Sequence, residues 1–197
     1  MNYFTSDLHI GGIDFVDREF LPFSSNEEYE QNILDCFGKL AKTDNLYIIG
    51  DLVNYNKIDK TSWVEMLPDF GKTVKCFVYL IMGNGEERLI KEKFGDNFDE
   101  FLEYCDVIFP NGIKIMNDTV LNIGGINYLL IHRPSEHRDN YTLFGHTHRV
   151  TGTWKPYGIN CGYMIHYFKP LSEADIIKYQ RLKDEWWDSD KDNNCVI

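Results

Sequence analysis

Two histidines, His146 and His148, lie directly after a short apolar run that ends at Gly145. In an extended backbone, side chains at positions i and i+2 leave the same face of the chain, so both imidazoles can reach one site. Neutral imidazole is the commonest protein ligand for metal ions. Because short motifs also arise by chance, this pair alone is equally compatible with two surface histidines beside a turn.

Four further apolar runs also end at side chains that bind metals. The ligand-type residues are Asp7 and His9 after residues 3–6, Asp51 after 46–49, Asn84 after 76–82 and His132 after 128–131. In open α/β sheets, ligands gather beyond the carboxyl ends of the strands. Packing alone does not require this order, because buried Asp and His side chains need partners. With the first pair, the set holds two carboxylates, one amide and four imidazoles, which suffices for two metal ions that share a carboxylate.

The ligand types restrict which metal the site can hold. No cysteine belongs to the set, and four imidazoles are too rich in nitrogen for a dedicated Ca²⁺ or Mg²⁺ site. Manganese, iron, zinc, cobalt and nickel fit such a set better, and manganese is the first expectation among them. Two such ions about 3.5 to 4 Å apart would acidify a bridging water and hold a phosphoryl group for in-line attack.

The elements that must position these ligands alternate between apolar runs and helical patterns in the first half of the chain, which indicates an α/β fold. Ser25, with Glu28 three residues later, predicts a capped helix that runs to about residue 40. A final helix is predicted from Ser172 to about residue 187, with Leu171 and Ile176 as a hydrophobic staple. Further helices are predicted over 58–67 (ended by Pro68), 86–94 and 98–104, and residues 11–25 are predicted to be a loop.

After Cys105 the pattern changes to consecutive short strands separated by turn residues. Strands are predicted over 107–109, 113–116, 119–123, 128–131, 150–154 and 165–168. The Asn-Gly, Asn-Asp and Gly-Gly pairs between the first four suit hairpins. The 197 residues, 43% of them hydrophobic, can bury one substantial core, so we expect one domain over 1–187 and a flexible acidic tail over 188–197.

The charge and the cysteines bound the partners and the compartment. A net charge of −11, with no Lys/Arg-rich run, disfavours a broad nucleic-acid surface but allows a small phosphorylated substrate held by metal ions. No apolar stretch approaches the roughly 20 residues needed to cross a membrane. Five widely spaced cysteines without a CxxC pair favour free thiols, and no leader segment is evident, so a cytoplasmic location is expected.

The ordered motifs resemble those of the calcineurin-like metallophosphoesterases over nearly the whole chain, and the small bacterial and phage members most. The motifs are Asp7-Leu8-His9, Gly50-Asp51, Gly83-Asn84, His132 and Gly145-His146-Thr147-His148. The resemblance implies a four-layer α/β/β/α sandwich with two central mixed sheets. It also implies metal-dependent hydrolysis of a phosphoric ester by a hydroxide that bridges two metal ions. One metal would be held by Asp7, His9, Asp51 and His148, and the other by Asp51, Asn84, His132 and His146, with Asp51 as the bridge.

Position 85 departs from the family pattern. The family places histidine after Gly-Asn, where it contacts the phosphoryl oxygen and protonates the leaving group, whereas this chain has Gly85. General acid catalysis is typically worth about 10²- to 10⁴-fold. The resemblance therefore favours a phosphodiester or pyrophosphate-type bond in a small, nucleotide-like substrate over a simple phosphomonoester.

Several side chains near the motifs are candidates to replace the lost contacts. They are Glu86, Arg88, Arg133, His137, Tyr141 and Arg149, and Asn84 is expected to contact substrate as well as metal. His137 has the chemistry of a general acid, and Glu86 is either catalytic or a carboxylate at a helix start. Arginine suits bidentate phosphate binding, but ordinary surface charge is an equal alternative for each arginine.

Three other functions are weighed against the phosphoesterase. The Gly83-x-Gly85 turn resembles a dinucleotide fingerprint only weakly, since Arg88 stands at the third glycine position. A non-catalytic protein-binding scaffold of the same fold is an alternative because the histidine is missing, although every metal-ligand position is filled. A manganese-dependent nuclease is disfavoured by the acidic charge. The oligomeric state is left open.

Overall fold

The strands form two five-stranded sheets that face each other across a shared apolar core. The computed structural model describes residues 1–12, 14–54, 62–136, 141–148, 153–154 and 158–192. The first sheet has the order β10 (Leu171–Ser172), β1 (Asn2–Thr5), β2 (Asn45–Ile49), β3 (Phe77–Ile81) and β4 (Ile113–Met116). The second has the order β5 (Thr119–Ile123), β6 (Ile126–Leu130), β7 (Tyr141–Phe144), β9 (Gly158–Asn160) and β8 (Thr153–Trp154).

Both sheets are mixed. Strands β1 to β4 are parallel to their neighbours and β10 is antiparallel, while β6, β7 and β9 are parallel and β5 and β8 pair antiparallel at the edges. The last four residues of β2 are buried, as the uninterrupted apolar run predicts for a strand covered on both faces. With helices on both sides, this confirms the predicted α/β fold with two mixed sheets.

Six helices among the described residues connect and cover the sheets. They are α1 (Phe15–Arg18), α2 (Asn26–Phe37), α3 (Ser62–Thr73), α4 (Asn84–Lys93), α5 (Phe98–Ile108) and α6 (Glu173–Asp192). Helix α3 packs against α2 and α5, and α6 packs against strands of both sheets. Because crossover helices connect these parallel strands, the carboxyl ends of β1, β2 and β3 all lie at one edge of the first sheet.

Two apolar clusters hold the layers together. One lies on the helical side of the first sheet, where Ile48 of β2 is buried with Ile33 of α2 and Phe70 of α3. The other lies between the sheets and joins Ile49 of β2 to Leu143 of β7. Alternate residues of β2 thus enter opposite cores, as the pleat requires.

The predicted caps form. Ser25 Oγ accepts a hydrogen bond from the backbone N–H of Glu28 at 3.3 Å, and α2 begins at the next residue. Ser172 Oγ accepts from the N–H of Asp175 at 3.2 Å, and both Leu171 and Ile176 are buried. Helix α6 runs to Asp192, beyond the predicted end near residue 187, so part of the segment predicted as a tail is helical.

The prediction that Pro68 ends a helix is wrong, because α3 continues through it. Proline inside a helix costs about 3 kcal/mol. Leu67, Phe70 and Val74 are all at least 98% buried on this segment, and each contributes about 1.5 to 3 kcal/mol. Burial therefore outweighs the lost hydrogen bond. Residues 58–61 of the predicted helix lie outside the described residues.

Two predicted strands and one predicted loop are wrong. Residues 107–108 extend α5, because Phe101, Cys105 and Ile108 continue a buried helical stripe. Residues 163–166 form a 3₁₀ turn, and the left-handed φ of 55° at Tyr167 ends it. Helix α1 lies within the predicted loop 11–25 because Phe15 and Val16 are buried there. Of the predicted strand 150–154, only 153–154 is described.

The chain also turns differently from the predicted series of hairpins. Gly124 and Gly125 do connect the antiparallel strands β5 and β6. The Asn-Asp turn, in contrast, separates β4 and β5, which belong to different sheets. Turn residues mark where a strand ends but do not select its next partner.

Two further expectations from the sequence concern membrane-spanning segments and the cysteines. Within the described ranges, no helix has the length and apolar character to cross a membrane. Cys36, Cys76, Cys105 and Cys161 are free thiols. A cytoplasmic location stays a prediction from the cysteine pattern.

Candidate metal centre

The seven predicted metal ligands come together beyond the ends of β1, β2 and β3 in the first sheet and of β6 and β7 in the second. The backbones of the first two loops are joined, since Asp7 N–H donates to Gly50 O at 3.1 Å and His9 N–H to Asp51 O at 3.0 Å. The second sheet is tied to the first by His146, whose N–H donates to both carboxylate oxygens of Asp7 at 3.0 and 3.1 Å. The loops that follow the strands therefore lie side by side, as the sequence predicts.

One group of donor atoms surrounds Asp7. Donor atoms of Asp7, His9 and His148 all lie within 4.8 Å of one another. The Nε2 atoms of the two histidines are 3.1 Å apart, and each lies 4.0 Å from Asp7 Oδ1. Asp51 Oδ2 is 3.7 Å from His9 Nε2. These four side chains are the set predicted for the first metal.

The second group surrounds the amide of Asn84. Its Oδ1 is 2.9 Å from His146 Nδ1 and 3.1 Å from His132 Nε2. Asp51 Oδ1 lies 3.5 Å from the same His132 nitrogen. Asp51 Oδ2 also accepts a hydrogen bond from the side-chain amide of Asn84 at 3.0 Å, so the Asp51 carboxylate contacts members of both groups.

Five of the seven residues have left-handed backbones. The φ angles are 57° at Asp7, 46° at His9, 53° at Asp51, 69° at His146 and 45° at His148. This conformation costs about 1 to 3 kcal/mol for each non-glycine residue and persists where surrounding contacts enforce it. Five strained residues directly after strand ends indicate that this backbone conformation serves the function of the site and not the stability of the fold.

His132 is held by the strand beside it. Its Nδ1 donates to the carbonyl oxygen of Ile49 at 2.9 Å, so Nε2 is the ring nitrogen that faces Asn84 and Asp51. Gly50 makes this approach possible. A Cβ at position 50 would lie 2.3 Å from His132 Nδ1, and the φ of 79° also favours glycine.

Burial sets the protonation preferences of the first group. It raises the pKa of Asp7, an effect that nearby His132 opposes and Asp51 reinforces. It lowers the pKa of His9 to about 3, although Asp51 opposes this shift. The site therefore keeps His9 as a neutral imidazole, the form that binds metals, and disfavours a bare carboxylate at Asp7.

Asp51 and His132 form a buried pair in which each side chain favours the charged form of the other. Burial raises the pKa of Asp51, but the hydrogen bond and the charge of His132 outweigh it, so the pKa falls below its usual range. For His132, burial lowers the pKa, and the hydrogen bond and charge of Asp51 reverse this and raise it. The carboxylate of Asp51 is thus held in its charged form, with His132 as its charged partner.

These donor atoms fit divalent cations. Two imidazole nitrogens 3.1 Å apart cannot both present lone pairs to each other without a proton or a cation near them. Two buried carboxylates lie within reach of them. A mixed set of imidazole, carboxylate and amide oxygen suits Mn, Fe, Zn, Co or Ni.

Glu86 has a structural role that the sequence left open. It is 1% exposed, and its two oxygens accept hydrogen bonds from the backbone N–H groups of Asp51 (2.9 Å), Gly83 (2.9 Å) and Val53 (3.2 Å). Burial, and next the charge of Asp51, raise its pKa to about 7. Glu86 holds the loop that carries Asp51 against the start of α4 and does not face the substrate cavity.

A cavity of about 410 Å³ opens over the ligand set. Its lining includes His9, Asp51, Asn84, Gly85, His146 and His148, together with Arg18, Glu19, Asn54 and Arg88. Arg88 lies one helical turn after Gly85, so its side chain lies over the position that lacks a histidine. Arg18, Glu19 and Asn54 belong to no sequence motif, and Arg18 and Glu19 lie in a segment predicted to be a loop, so the sequence did not single them out.

The other candidate residues are placed elsewhere or not described. Arg133 pairs with Glu87 at 3.0 Å and does not line this cavity. Tyr141 begins β7, at the opposite end of the strand from His146, and packs on Tyr128. His137 and Arg149 lie outside the described residues.

The chain belongs to the calcineurin-like phosphoesterase family, whose model matches residues 3–196. This is a divalent-metal-dependent family of phosphoric ester hydrolases, which agrees with the Asp and His groups described above. No curated protein matches the chain significantly.

Solved structures also resemble the chain. AQ665 of Aquifex aeolicus, a protein of unknown function, is 21% identical with a TM-score of 0.60, over 91% of this chain and 98% of that one. The nuclease MPE of Pseudomonas putida is 21% identical (TM-score 0.41, 75% and 60%), and an archaeal phosphodiesterase is 11% identical (TM-score 0.42, 82% and 81%). At these identities, the match to AQ665 supports the fold alone.

Proposed function

We propose that this protein is a dinuclear-metal phosphodiesterase that hydrolyses a phosphodiester or pyrophosphate-type bond in a small, nucleotide-like substrate. The observation that carries the proposal is the central position of Asp51, whose carboxylate lies 3.7 Å from His9 and 3.5 Å from His132 and so contacts both groups of metal-type ligands under one cavity. The cavity is large enough for a small ligand.

The chain's own residues divide between the two metals. Asp7, His9 and His148 would hold one, Asn84, His132 and His146 the other, and Asp51 both. Two divalent cations held there, manganese first, would activate a water for attack and stabilise the charge of the phosphoryl group. Burial of Asp7 and Asp51 supports this, because each carboxylate then lacks water to compensate its charge.

The cavity walls would position the substrate. Arg88 and Arg18 place guanidinium groups beside the ligand set in a protein of net charge −11, and Asn84 adds its amide. Guanidinium groups bind phosphate oxygens bidentately. Arg88 thus provides the charge that the family's histidine would bring to the phosphoryl group, but it cannot act as a proton donor, because its guanidinium stays protonated.

The absence of a side chain at position 85 explains the proposed preference for diesters. Glu86 cannot replace the proton donor, since backbone N–H groups occupy both of its oxygens. His137 stays a predicted general acid. Leaving groups that need little proton transfer, such as aryl alcohols and phosphate-linked groups, should therefore react best.

A substrate panel on the metal-stripped, full-length protein tests the proposal. We expect no turnover until Mn²⁺ is added back and then cleavage of bis(p-nitrophenyl) phosphate faster than of glycerol phosphate. Cyclic nucleotides, dinucleotides and nucleoside polyphosphates identify the substrate group, and single-stranded DNA and RNA test the nuclease alternative. Failure to bind any of Mn²⁺, Fe²⁺, Zn²⁺, Co²⁺ and Ni²⁺ would leave only the protein-binding scaffold, and faster cleavage of the alkyl monoester would overturn the diester preference.

A further inference from the structure

Glu19 lies between a metal-ligand candidate and an arginine of the cavity wall. Its Oε2 is 3.2 Å from Nδ1 of His148, and its Oε1 is 3.6 Å from Nε of Arg18. The carboxylate is 19% exposed and lies directly after α1. One side chain therefore contacts both the proposed metal site and the proposed anion site.

We propose that Glu19 is a positioning residue that directs His148 toward the metal and Arg18 toward the substrate. The inference rests on the proposed function, in which His148 is a ligand and Arg18 binds an anion. It assigns a role to a residue in the segment 11–25, where the sequence pattern indicates only a loop.

The imidazole of His148 contacts Glu19 through Nδ1. A neutral imidazole carries one N–H, and when Nδ1 donates it to Glu19, Nε2 keeps its lone pair. That Nε2 faces His9 Nε2 at 3.1 Å and Asp7 Oδ1 at 4.0 Å. Carboxylate partners of this kind fix the tautomer and the ring orientation of metal-binding histidines.

Arg18 contacts Glu19, Asp14 and Phe15. Its Nε is turned toward Glu19, its Nη1 is 3.5 Å from Asp14, and its guanidinium lies 5.4 Å from the centre of the Phe15 ring. A guanidinium has five N–H donors, so these contacts leave donors for an anion in the cavity. Phe15 also packs on the ring of His9 at 4.7 Å. Helix α1 therefore places the arginine against the ligand set.

The matched comparison is between Glu19 and Asp14. Both carboxylates contact Arg18, but only Glu19 contacts His148. Asp14 has a side chain that is 60% exposed, and it is not part of the ligand set. Asp14→Asn removes the same charge from the same region and leaves His148 untouched.

Calorimetric titration of metal-free, full-length protein with Mn²⁺ tests the inference without relying on turnover. We expect Glu19→Ala to weaken one of two Mn²⁺ sites by about 10- to 100-fold and to raise KM for the diester. Glu19→Gln should lose less, because its amide oxygen can still accept from His148. Asp14→Asn should bind Mn²⁺ like the unmodified protein.

Each outcome decides between the proposals. Unmodified protein that binds two Mn²⁺ ions, together with Glu19 variants that bind them equally well, would overturn the role of Glu19 alone. Unmodified protein that binds none of Mn²⁺, Fe²⁺, Zn²⁺, Co²⁺ and Ni²⁺ would overturn the proposed function as well. If Glu19→Ala does not fold, as circular dichroism would show, Glu19→Leu decides, because leucine has a similar size and no hydrogen-bond acceptor: an unchanged affinity and KM would reject the inference.

Discussion

The backbone N–H of Gly85 donates a hydrogen bond to Oδ1 of Asp51 at 2.7 Å. The glycine that replaces the family's histidine is thus in direct contact with the proposed bridging ligand. A Cβ at position 85 would lie 2.5 Å from Val53 O and 3.2 Å from Asp51 Oδ1. In this backbone, position 85 therefore has no room for any side chain. The conformation of the loop itself excludes a histidine there.

Gly85→Ala should accordingly destabilise the protein and weaken metal binding. Alanine gains about 1 kcal/mol of helix propensity over glycine, but overpacking against a backbone carbonyl costs about 1 to 3 kcal/mol. We expect a net loss of up to about 2 kcal/mol in urea denaturation, and a lower Mn²⁺ affinity in calorimetry. Gly85→His should show the same defects and no gain of monoesterase activity.

Gly95→Ala is the control for the Gly85 variants. Gly95 also has a left-handed φ, of 56°, but nothing lies within 4 Å of an added Cβ. Alanine there should cost about 1 to 2 kcal/mol of conformational strain and leave Mn²⁺ affinity unchanged. Equal metal affinity in both alanine variants would contradict the argument from space at position 85.

Glu86→Gln should destabilise the loop that carries Asp51. The amide keeps the size of the side chain but turns an NH₂ donor toward a backbone N–H group, which leaves a buried donor unsatisfied. We expect a loss of about 1 to 3 kcal/mol in the free energy of unfolding, measured by denaturation with urea.

The neighbouring substitution Glu87→Gln is the control for Glu86. Glu87 is 53% exposed and pairs with Arg133 at the surface, so its loss should change stability by no more than about 0.5 kcal/mol. A Glu86→Gln protein as stable as Glu87→Gln would mean that the three backbone hydrogen bonds contribute little.

The sequence predicts the ligand set because each ligand follows a strand, and parallel strands end at one edge. In the structure, Asp7, Asp51 and His146 each follow a strand, and the N–H of His146 donates to Asp7. The same local reasoning finds the caps at Ser25 and Ser172, since a cap depends on residues three positions apart.

Features that depend on distant packing are not visible in the sequence. Helix α3 passes through Pro68 because its apolar face is buried by other elements. Glu86 resembles an ordinary helix-start carboxylate until the loop of Asp51 is placed against it. Arg18 and Glu19 follow no motif, and only the fold of α1 against the ligand loops brings them into the site.

Asp51 should matter for both metal sites and Asp7 for one. Asp51→Asn is expected to weaken both Mn²⁺ sites, each by at least about 100-fold, because loss of a ligand should exceed the 10- to 100-fold effect of an outer partner. Asp7→Asn should abolish one site and leave the other measurable. Calorimetric stoichiometry distinguishes the two, with the exposed Asp106→Asn as a control that binds two ions. A stoichiometry of one in Asp51→Asn would show that this carboxylate does not bridge.

Arg88→Gln should weaken substrate binding more than it changes the metal centre. Arg88 lines the cavity and forms no ion pair with a described residue, so its charge is available to a phosphate. A hydrogen bond to a charged group is worth about 1.5 to 3 kcal/mol, which corresponds to a rise in KM of roughly 10- to 100-fold. Lys91→Gln removes an equal charge from the exposed side of the same helix and should leave KM within about twofold, the range of a surface change. Steady-state kinetics with bis(p-nitrophenyl) phosphate and calorimetry with Mn²⁺ measure the two effects separately. Equal KM values for both variants would show that Arg88 does not contact the substrate.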